Sequence, residues 1–571
     1  MSTILHVQMT EGSVQQLDVD SRLEKHGGRS FIARYLLDHV DPRCDALGPN
    51  NVLIFAPGLL AGLPLSSTGR LSIGAKSPLT GGIKEANVGG TPGDKLGRLG
   101  IKGIVVSGKA REGIYTLYLS KNGAELVESG EMAKLGTYET TARLLDKYGD
   151  HCGVLVIGPA GEMELRGAGI SATEDLENVP GRMAARGGLG AVMGSKGLKA
   201  VIVDDSGTSA PPVSDMELFK QAARRFAKEL IESPKTGKQG SMHRFGTVAI
   251  MGPVNDIGAL PTRNFSRGQF EGVPNINAEK LRETILERGG KIGQRCMPGC
   301  VIQCSNIYVD EQGQPIVSTL QYETLALMGS NLEIDNLDEI AVLNRMCNDF
   351  GVDSIEMGAA LGVAMEAGLA EFGDGEGARK LLEEIGRGSV LGRMLGNGAE
   401  TTGRTLGIER TPVARGQAMP GYDPRALKGN GVTYATSAMG ADHTAGNAIG
   451  SRKTKDPLEP EGTGDLSRGL QQMAAMLDMT GLCLFARPPI VADPDLMIQL
   501  LNGRFGWGWT VEDLVEAEDE LLRMEREFNT AAGFTPAHDR LPEIFYREPL
   551  PPTEAVFDVT DEEMASTIKD L

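Results

Sequence analysis

The chain reads as an α+β protein, an N-terminal β-sheet domain followed by two mostly α-helical domains, and three observations carry that reading. Up to about Asp205 the apolar residues alternate or run in short blocks; from Asp205 to Asp215 the segment DSGTSAPPVSD is polar with paired prolines; beyond it apolar residues recur at helical spacing. In the first part ILHVQM alternates and EGS turns, while VLIFAP and GIVVSG read as buried strands, followed by TLYLS, GVLVIG and KAVIVDD. One helix interrupts them early, SFIARYLLDHV over Ser30–Val40, after the turn-forming Gly27 and Gly28. No internal repeat of fixed period is expected. In the second part MELFKQAARRFAKELIES, NLDEIAVLNRMCNDF, SIEMGAALGVAMEAGL, ARKLLEEIG and LQQMAAMLDM fit amphipathic or buried helices. Thr510 with Asp513 forms a capping box that opens VEDLVEAEDELLRMEREFN. The connector and a further split near Arg415 give three parts, residues 1–208, 209–415 and 416–571.

The 571 residues suffice for a large buried core without disulfide staples. Seven cysteines, an odd number spread unevenly over a long acidic chain, read as reduced thiols. No apolar stretch approaches a membrane span and the N-terminus MSTILHVQMTEG has no signal-like pattern, which places the protein in the cytoplasm. A formal charge of -19 opposes nucleic-acid binding, so any anion site must be locally built.

Cys296, Cys300 and Cys304 crowd into CMPGCVIQC, and Cys483 stands far downstream in DMTGLC. Four soft thiolates suit an iron-sulfur cubane or a zinc ion, and spacing alone does not separate the two. Cys44, Cys152 and Cys347 read as small buried hydrophobes. Two glycine-rich segments, Gly69–Gly108 and Gly181–Val201, carry Arg70, Lys76, Asn87 and Arg98 beside paired glycines. Bare backbone N–H groups with a few cations make phosphate-binding concavities, although tight turns in a glycine-rich sheet explain the same composition. NDFGVD, Asn348–Asp353, and DMTGLC, Asp478–Cys483, share a pattern in which a helical run ends at Gly before an aliphatic residue.

The segments LGPNNVLIFAPGLLAG, GRLSIGAKSPLTGGIKEANVGG, ARGGLGAVMGSKGLKAV, LQYETLALMGSNL and DMTGLC resemble those of the aldehyde:ferredoxin oxidoreductase family of tungsten (or molybdenum) pterin enzymes, over nearly the whole chain. The resemblance implies that the β domain carries two pyranopterins around one metal, beneath two helical domains. It assigns a 4Fe-4S cluster to Cys296, Cys300, Cys304 and Cys483. Arg70 would link pterin and cluster; Asn87, Gly89 and the Arg186–Gly187–Gly188 turn would hold the pterin phosphates and their magnesium; Asn348, Asp353, Asp478 and Leu482 would grip the pterins. Glu323 in QYETL is the matched general base and His443 in GADHTAG the matched second proton carrier, with Tyr322 lining the cavity. The implied reaction is oxidation of a small aldehyde, with electrons leaving to ferredoxin or an iron-sulfur partner subunit. The alternatives are the same cofactors used for another low-potential reduction such as that of an aromatic-ring thioester, a non-catalytic iron-sulfur carrier, or a zinc-structured protein. Two departures stand out. Three residues separate Cys296 from Cys300 where the family usually has two, and no His lies between His243 and His443, so the Glu-x-x-His iron bridge of some relatives is not expected.

Overall fold

The computed structural model describes residues 3–569. Two six-stranded sheets occupy the first 203 residues. The first contains β1 (Thr3–Gln8), β2 (Ser13–Asp18), β3 (Leu53–Pro57), β4 (Leu71–Lys76), β5 (Ile83–Val88) and β6 (Ile101–Ser107), in the order β2-β1-β6-β3-β4-β5. The second contains β7 (Tyr115–Ser120), β8 (Gly123–Glu128), β9 (Gly153–Val156), β10 (Ile170–Ala172), β11 (Arg182–Ala184) and β12 (Leu198–Val203), in the order β8-β7-β12-β9-β10-β11. The two orders are one order, and the pairing directions agree: β1 with β6 and β7 with β12 are parallel, the other neighbours antiparallel. The sequence shows no repeat of fixed period, yet the topology is repeated. A shared topology needs alternation and turns rather than shared residues, and β10 is three residues long where its counterpart β4 has six, so no fixed period survives in the sequence.

The sheets pack face to face, with Phe55, Leu71 and Ile73 of the first meeting the same apolar core as Leu117, Leu155 and Val201 of the second. Their outer faces are covered too. Ile54 and Val105 pack with Phe31 and Ile32 of the helix Gly28–His39 and with Leu521 and Phe528 of the helix Val511–Ala532, while Val154 and Ile202 pack with Leu144 and Leu145 of the helix Thr137–Tyr148. Burial on both faces is why VLIFAP and GIVVSG are unbroken apolar runs rather than alternating ones. The helix Gly28–His39 starts two residues before its expected position, because Ser30 Oγ accepts the Gly27 N–H at 3.2 Å and becomes the third helical residue. The helices Thr137–Tyr148 and Leu189–Ser195 were not expected. The first hides its inner face behind buried threonines, Thr137, Thr140 and Thr141, and the second lies inside a glycine-rich segment.

No helix or strand lies between Val203 and Met216, where the connector was read. The rest is mostly helical, and Thr510 and Asp513 form the expected capping box. A three-stranded antiparallel sheet, β13 (Lys291–Gln294), β14 (Ser305–Val309) and β15 (Pro315–Ser318), was not expected, and its first two strands frame the cysteine loop. Among the described residues no helix is long and apolar enough to cross a membrane.

The helices Leu337–Phe350 and Thr463–Thr480 end alike, on left-handed Gly351 (φ 72°) and Gly481 (φ 81°). Val352 N–H then reaches back to Cys347 O at 2.9 Å and Leu482 N–H to Leu477 O at 3.0 Å. Each capped end sits against a glycine that follows an equivalent strand, Gly158 after β9 and Gly58 after β3. A Cβ on Gly58 would fall within 3.0 Å of the Thr480–Gly481 backbone, and one on Gly158 within 3.0 Å of the Phe350–Gly351 backbone. Backbone cannot rotate away as a side chain can, so Gly58→Ala should destabilise the protein by roughly 2–4 kcal/mol. Gly469, exposed in the middle of a helix with nothing within 4 Å of its would-be Cβ, gives the opposite sign. Gly469→Ala should stabilise by about 0.5–1 kcal/mol. Thermal unfolding midpoints of the two variants check the pair: a fall for the first and a small rise for the second.

Candidate active site

A cavity of about 410 Å³ lies where the two glycine-capped loops meet the sheets. Strands β5 and β11, each the last strand of its sheet, supply one wall through Asn87 and Arg182, and the capped loops supply Asn348, Asp353, Asp478 and Leu482. Arg70, Gly89, Arg186, Tyr322, Glu323, His443, Cys296, Cys304 and Cys483 line the same space. Of the residues singled out by sequence, Gly187, Gly188 and Cys300 lie outside this lining, as do Lys76, whose Nζ donates to the Cys44 carbonyl at 2.7 Å, and Arg98, which pairs with Asp205 at 3.3 Å.

Cys483 reaches the cysteine loop because the chain after Gly58 runs along it. Leu59 N–H bonds Met479 O and Leu60 N–H bonds Thr480 O, both at 3.1 Å, Arg70 N–H bonds Gly481 O at 3.1 Å, and Cys483 N–H bonds Ser67 O at 2.8 Å. Ser67, itself left-handed (φ 60°), also places its Oγ 3.4 Å from Cys300 Sγ, so one residue ties the remote cysteine to the loop. Gly299, in the three-residue spacer, is left-handed (φ 71°), and Cys296 lines the cavity. All four cysteines are free. Burial pushes every one of the four thiols up, and Cys296, Cys300 and Cys483 raise Cys304 further. Thiolates here need positive charge among them, which is what a metal cluster supplies. Among the described residues no three of these sulfurs lie within 4.8 Å of one another. A single tetrahedral zinc with bonds of about 2.3 Å would draw its sulfurs closer together than this. Cys152 and Cys347 are buried as expected, and Cys44 is half-buried.

Arg70 is held by Asn87, through its side-chain oxygen and through the backbone carbonyl at 3.1 Å. It acts electrostatically on Cys296, Cys483 and Asp478 together. Gly89 leaves room there: a Cβ would lie 3.4 Å from Arg70 Nη1 and 3.5 Å from Cys296 Sγ. Asp478 is raised by burial and opposed by Arg29, whose Nη1 stands 3.3 Å away and whose remaining nitrogens grip Glu525. Asp353 caps the helix Ser354–Glu366 with one oxygen (3.0 Å to Ile355 N) and meets Arg186 Nε with the other at 3.2 Å. The Arg186 guanidinium is further bound to the carbonyls of Ala441 and Ala418. Gly187 packs on the Lys84 side chain and Gly188 on the Arg166 carbonyl, both with φ in the left-handed region. The Asn348 backbone carbonyl accepts from Thr137 Oγ1 at 2.8 Å and its side-chain amide donates to the Tyr138 hydroxyl at 3.5 Å, at the edge of the cavity.

Glu323 and His443 face each other, with Oε1 and Nε2 3.5 Å apart. Glu323 Oε2 accepts the Gly421 N–H at 2.8 Å, while its Oε1 and His443 Nδ1 are buried polar atoms without a hydrogen-bond partner. Burial raises the Glu323 carboxyl above its ordinary value, against the pull of His443. The Tyr322 hydroxyl donates to the Gly421 carbonyl, fixing the strip that holds Glu323. Next to His443, burial would raise Asp442, yet Lys84 and Arg186 hold it well below the usual carboxylate range. Lys84 Nζ meets Asp442 Oδ2 at 2.6 Å, and Asp442 Oδ1 accepts from Thr444 N (3.0 Å) and Oγ1 (2.7 Å), which immobilises the His443 backbone.

Sequence reasoning missed Arg182, Ser67 and the Lys84–Asp442 pair. Arg182 bonds Ser305 Oγ (2.6 Å) and Thr319 Oγ1 (3.1 Å) and offsets Cys296 and Cys304. Its place beside Gly181 in the second glycine-rich segment was the available signal.

Residues 4–205 match the aldehyde ferredoxin oxidoreductase N-terminal domain, and residues 221–570 match domains 2 and 3 of the same family. The tungsten-containing aldehyde ferredoxin oxidoreductase of Pyrococcus abyssi is 32% identical over 96% of this chain and 92% of its own length. That of Thermococcus kodakarensis is 31% identical over 96% and 91%, and an aliphatic sulfonate oxidoreductase, WOR-like subunit, of Pyrococcus furiosus is 27% identical over 96% and 89%. Among solved structures, a chain of the active-site complex BamBC of benzoyl coenzyme A reductase, in complex with 1,5-dienoyl-CoA, superposes with a TM-score of 0.81 at 20% identity, covering 100% of this chain and 93% of that one, and so shares the fold. With both family domains matched in order and relatives above 30% identity along almost all of its length, the chain belongs to the aldehyde ferredoxin oxidoreductase family and is an oxidoreductase.

Proposed function

We propose that the protein oxidises small aldehydes to carboxylic acids with water as the oxygen source. It would do so at a tungsten (or molybdenum) bis-pyranopterin and pass electrons singly through a 4Fe-4S cluster to ferredoxin or an iron-sulfur partner subunit. The observation that carries the proposal is the convergence on one cavity of three cysteines, Cys296, Cys304 and Cys483, with Cys300 beside them against Ser67, and of a carboxylate and imidazole with unsatisfied buried atoms. The names of the relatives at 31–32% identity support aldehyde as the substrate class and tungsten as the metal. The three-part division at residues 208 and 415 and a cytoplasmic setting belong to the same reading.

The residues fit these groups. Cys296, Cys300, Cys304 and Cys483 would hold the cluster; Asn348, Asp353, Asp478, Leu482 and Arg70 the pterins; Asn87, Gly89 and Arg186 the pterin phosphates and their magnesium, with Gly187 and Gly188, outside the cavity lining, shaping the turn that carries Arg186. When bound, the metal accepts two electrons and the cluster relays them one at a time. The chain's own residues handle protons. Oxidation of RCHO and H₂O to RCOOH releases two electrons and two protons. Glu323 Oε1, free while Oε2 is anchored on Gly421 N–H, takes a proton from the attacking water. His443, steadied by Asp442, orients the carbonyl oxygen and exchanges the second proton.

Glu323→Gln is expected to retain metal and cluster while aldehyde-dependent viologen reduction falls by about 10²–10⁴-fold. Normal turnover would reject Glu323 as the base, and absence of aldehyde oxidation in the wild-type holoenzyme would favour aromatic-ring thioester reduction. A base must be unprotonated to act, and burial raises Glu323. The wild-type kcat/KM should therefore fall on the acid side with a midpoint above the ordinary glutamate value of about 4.3. A pH-rate profile checks this, and the acid limb should be missing from the residual rate of the Gln variant.

A further inference from the structure

Four cations cluster at the rim of the cavity with no task in the reaction above: Lys235, in the loop after the helix Met216–Glu232; Arg452 and Lys453, on the segment that continues from His443; and Arg487, four residues past Cys483. Lys235, Arg452 and Arg487 line the same cavity as Glu323 and His443. Partial desolvation of its ammonium depresses Lys235, although the residue as a whole is exposed, and Arg487, Arg452 and Lys453 lie close enough to depress it further. Every buried arginine described around the reacting centre has a carboxylate partner, Arg29 with Glu525, Arg182 with Glu174 and Arg186 with Asp353. Among the described residues none of the four rim cations has one, in a chain with 76 acidic residues against 57 basic ones. Arg452 Nη1 is fixed on the Ile449 carbonyl at 2.8 Å and Arg487 Nη1 on the Leu484 carbonyl at 3.3 Å, which leaves their other N–H groups for a ligand. Concentrated like charge costs free energy until an anion neutralises it.

Apolar side chains, Ile250, Ile449 and Phe485, also line the cavity. A ligand spanning from Glu323 to the rim therefore carries a carbonyl at one end, an apolar spacer and an anionic group at the other. Arg452 and Arg487 are half-buried in the cavity wall, which suits a small molecule better than the surface of an acidic protein.

We propose that Lys235, Arg452 and Arg487 form a subsite for a carboxylate or phosphate carried by the substrate at the end remote from its carbonyl. The proposal rests on the reading of Glu323 and His443 as the reacting end. Its test uses the holoenzyme with three aldehydes of matched chain length, neutral, ω-carboxylated and ω-phosphorylated, and calorimetric titration with glutarate. The expected result is a kcat/KM about tenfold higher for one or both anionic aldehydes than for the neutral one, the better of the two naming the group. Arg452→Gln and the exposed Lys235→Gln should each remove most of that preference through KM and weaken glutarate binding. Equal kcat/KM for all three aldehydes, or variants that slow neutral and anionic aldehydes alike, would overturn the subsite. Variants that change only the reduction of an acidic ferredoxin, with dye-linked kinetics intact, would overturn it in favour of a docking patch. If no aldehyde turns over but wild-type protein binds glutarate and Arg452→Gln does not, the subsite stands and the aldehyde reading falls.

Discussion

Two contacts between bare backbones set the rest of this molecule. Gly58 against Gly481 and Gly158 against Gly351 bring the ends of two long helices onto equivalent places in the two sheets, closer than any Cβ allows. Once the first contact is made, the hydrogen bonds from residues 59, 60 and 70 to residues 479–481 follow, and Cys483 is delivered to Ser67 and the cysteine loop. The second contact places Asn348 and Asp353 opposite. The cavity is thus defined by backbone fit, which is stiffer than side-chain packing and holds a site to the fraction of an ångström that redox and proton chemistry require.

Charge is buried around this frame at high density and is mostly balanced in pairs. Lys84 with Asp442, Arg29 with Glu525 and Asp478, and Arg186 with Asp353 each join the sheet domain to the helical part. Such pairs add little net stability over an apolar contact, but removing one partner strands the other at about 3–5 kcal/mol. They act as address labels, fixing which loop lies against which strand. Against that pattern of compensation, Glu323 Oε1 and His443 Nδ1 have no hydrogen-bond partner and Lys235, Arg452 and Arg487 no carboxylate partner among the described residues, and all five residues line the one cavity.

Much of this was legible in the sequence because it is written in local signals. Continuous apolar runs such as VLIFAP announce strands covered on both sides, and NDFGVD and DMTGLC announce helices ending on left-handed glycine. The repeated topology was not legible, since strand order depends on pairing across distance. The helix Thr137–Tyr148 was hidden by threonines on its inner face. Arg182, Ser67 and Asp442 were silent for the same reason: each matters through a partner far along the chain, Cys296, Cys483 and Lys84 respectively. Glu323 and His443 were named by resemblance, and what the three-dimensional arrangement adds is their mutual approach and the strip of Tyr322 and Gly421 that orients one of them.

The central claim is that Cys483 joins Cys296, Cys300 and Cys304 in an iron cluster beside a cavity built for a pterin-held heavy metal. Elemental analysis of protein purified without oxygen addresses it directly. The account predicts about four iron atoms and one atom of tungsten or molybdenum per chain, with little zinc. Protein that is free of iron and of both heavy metals, or that carries one zinc per chain instead, would contradict it.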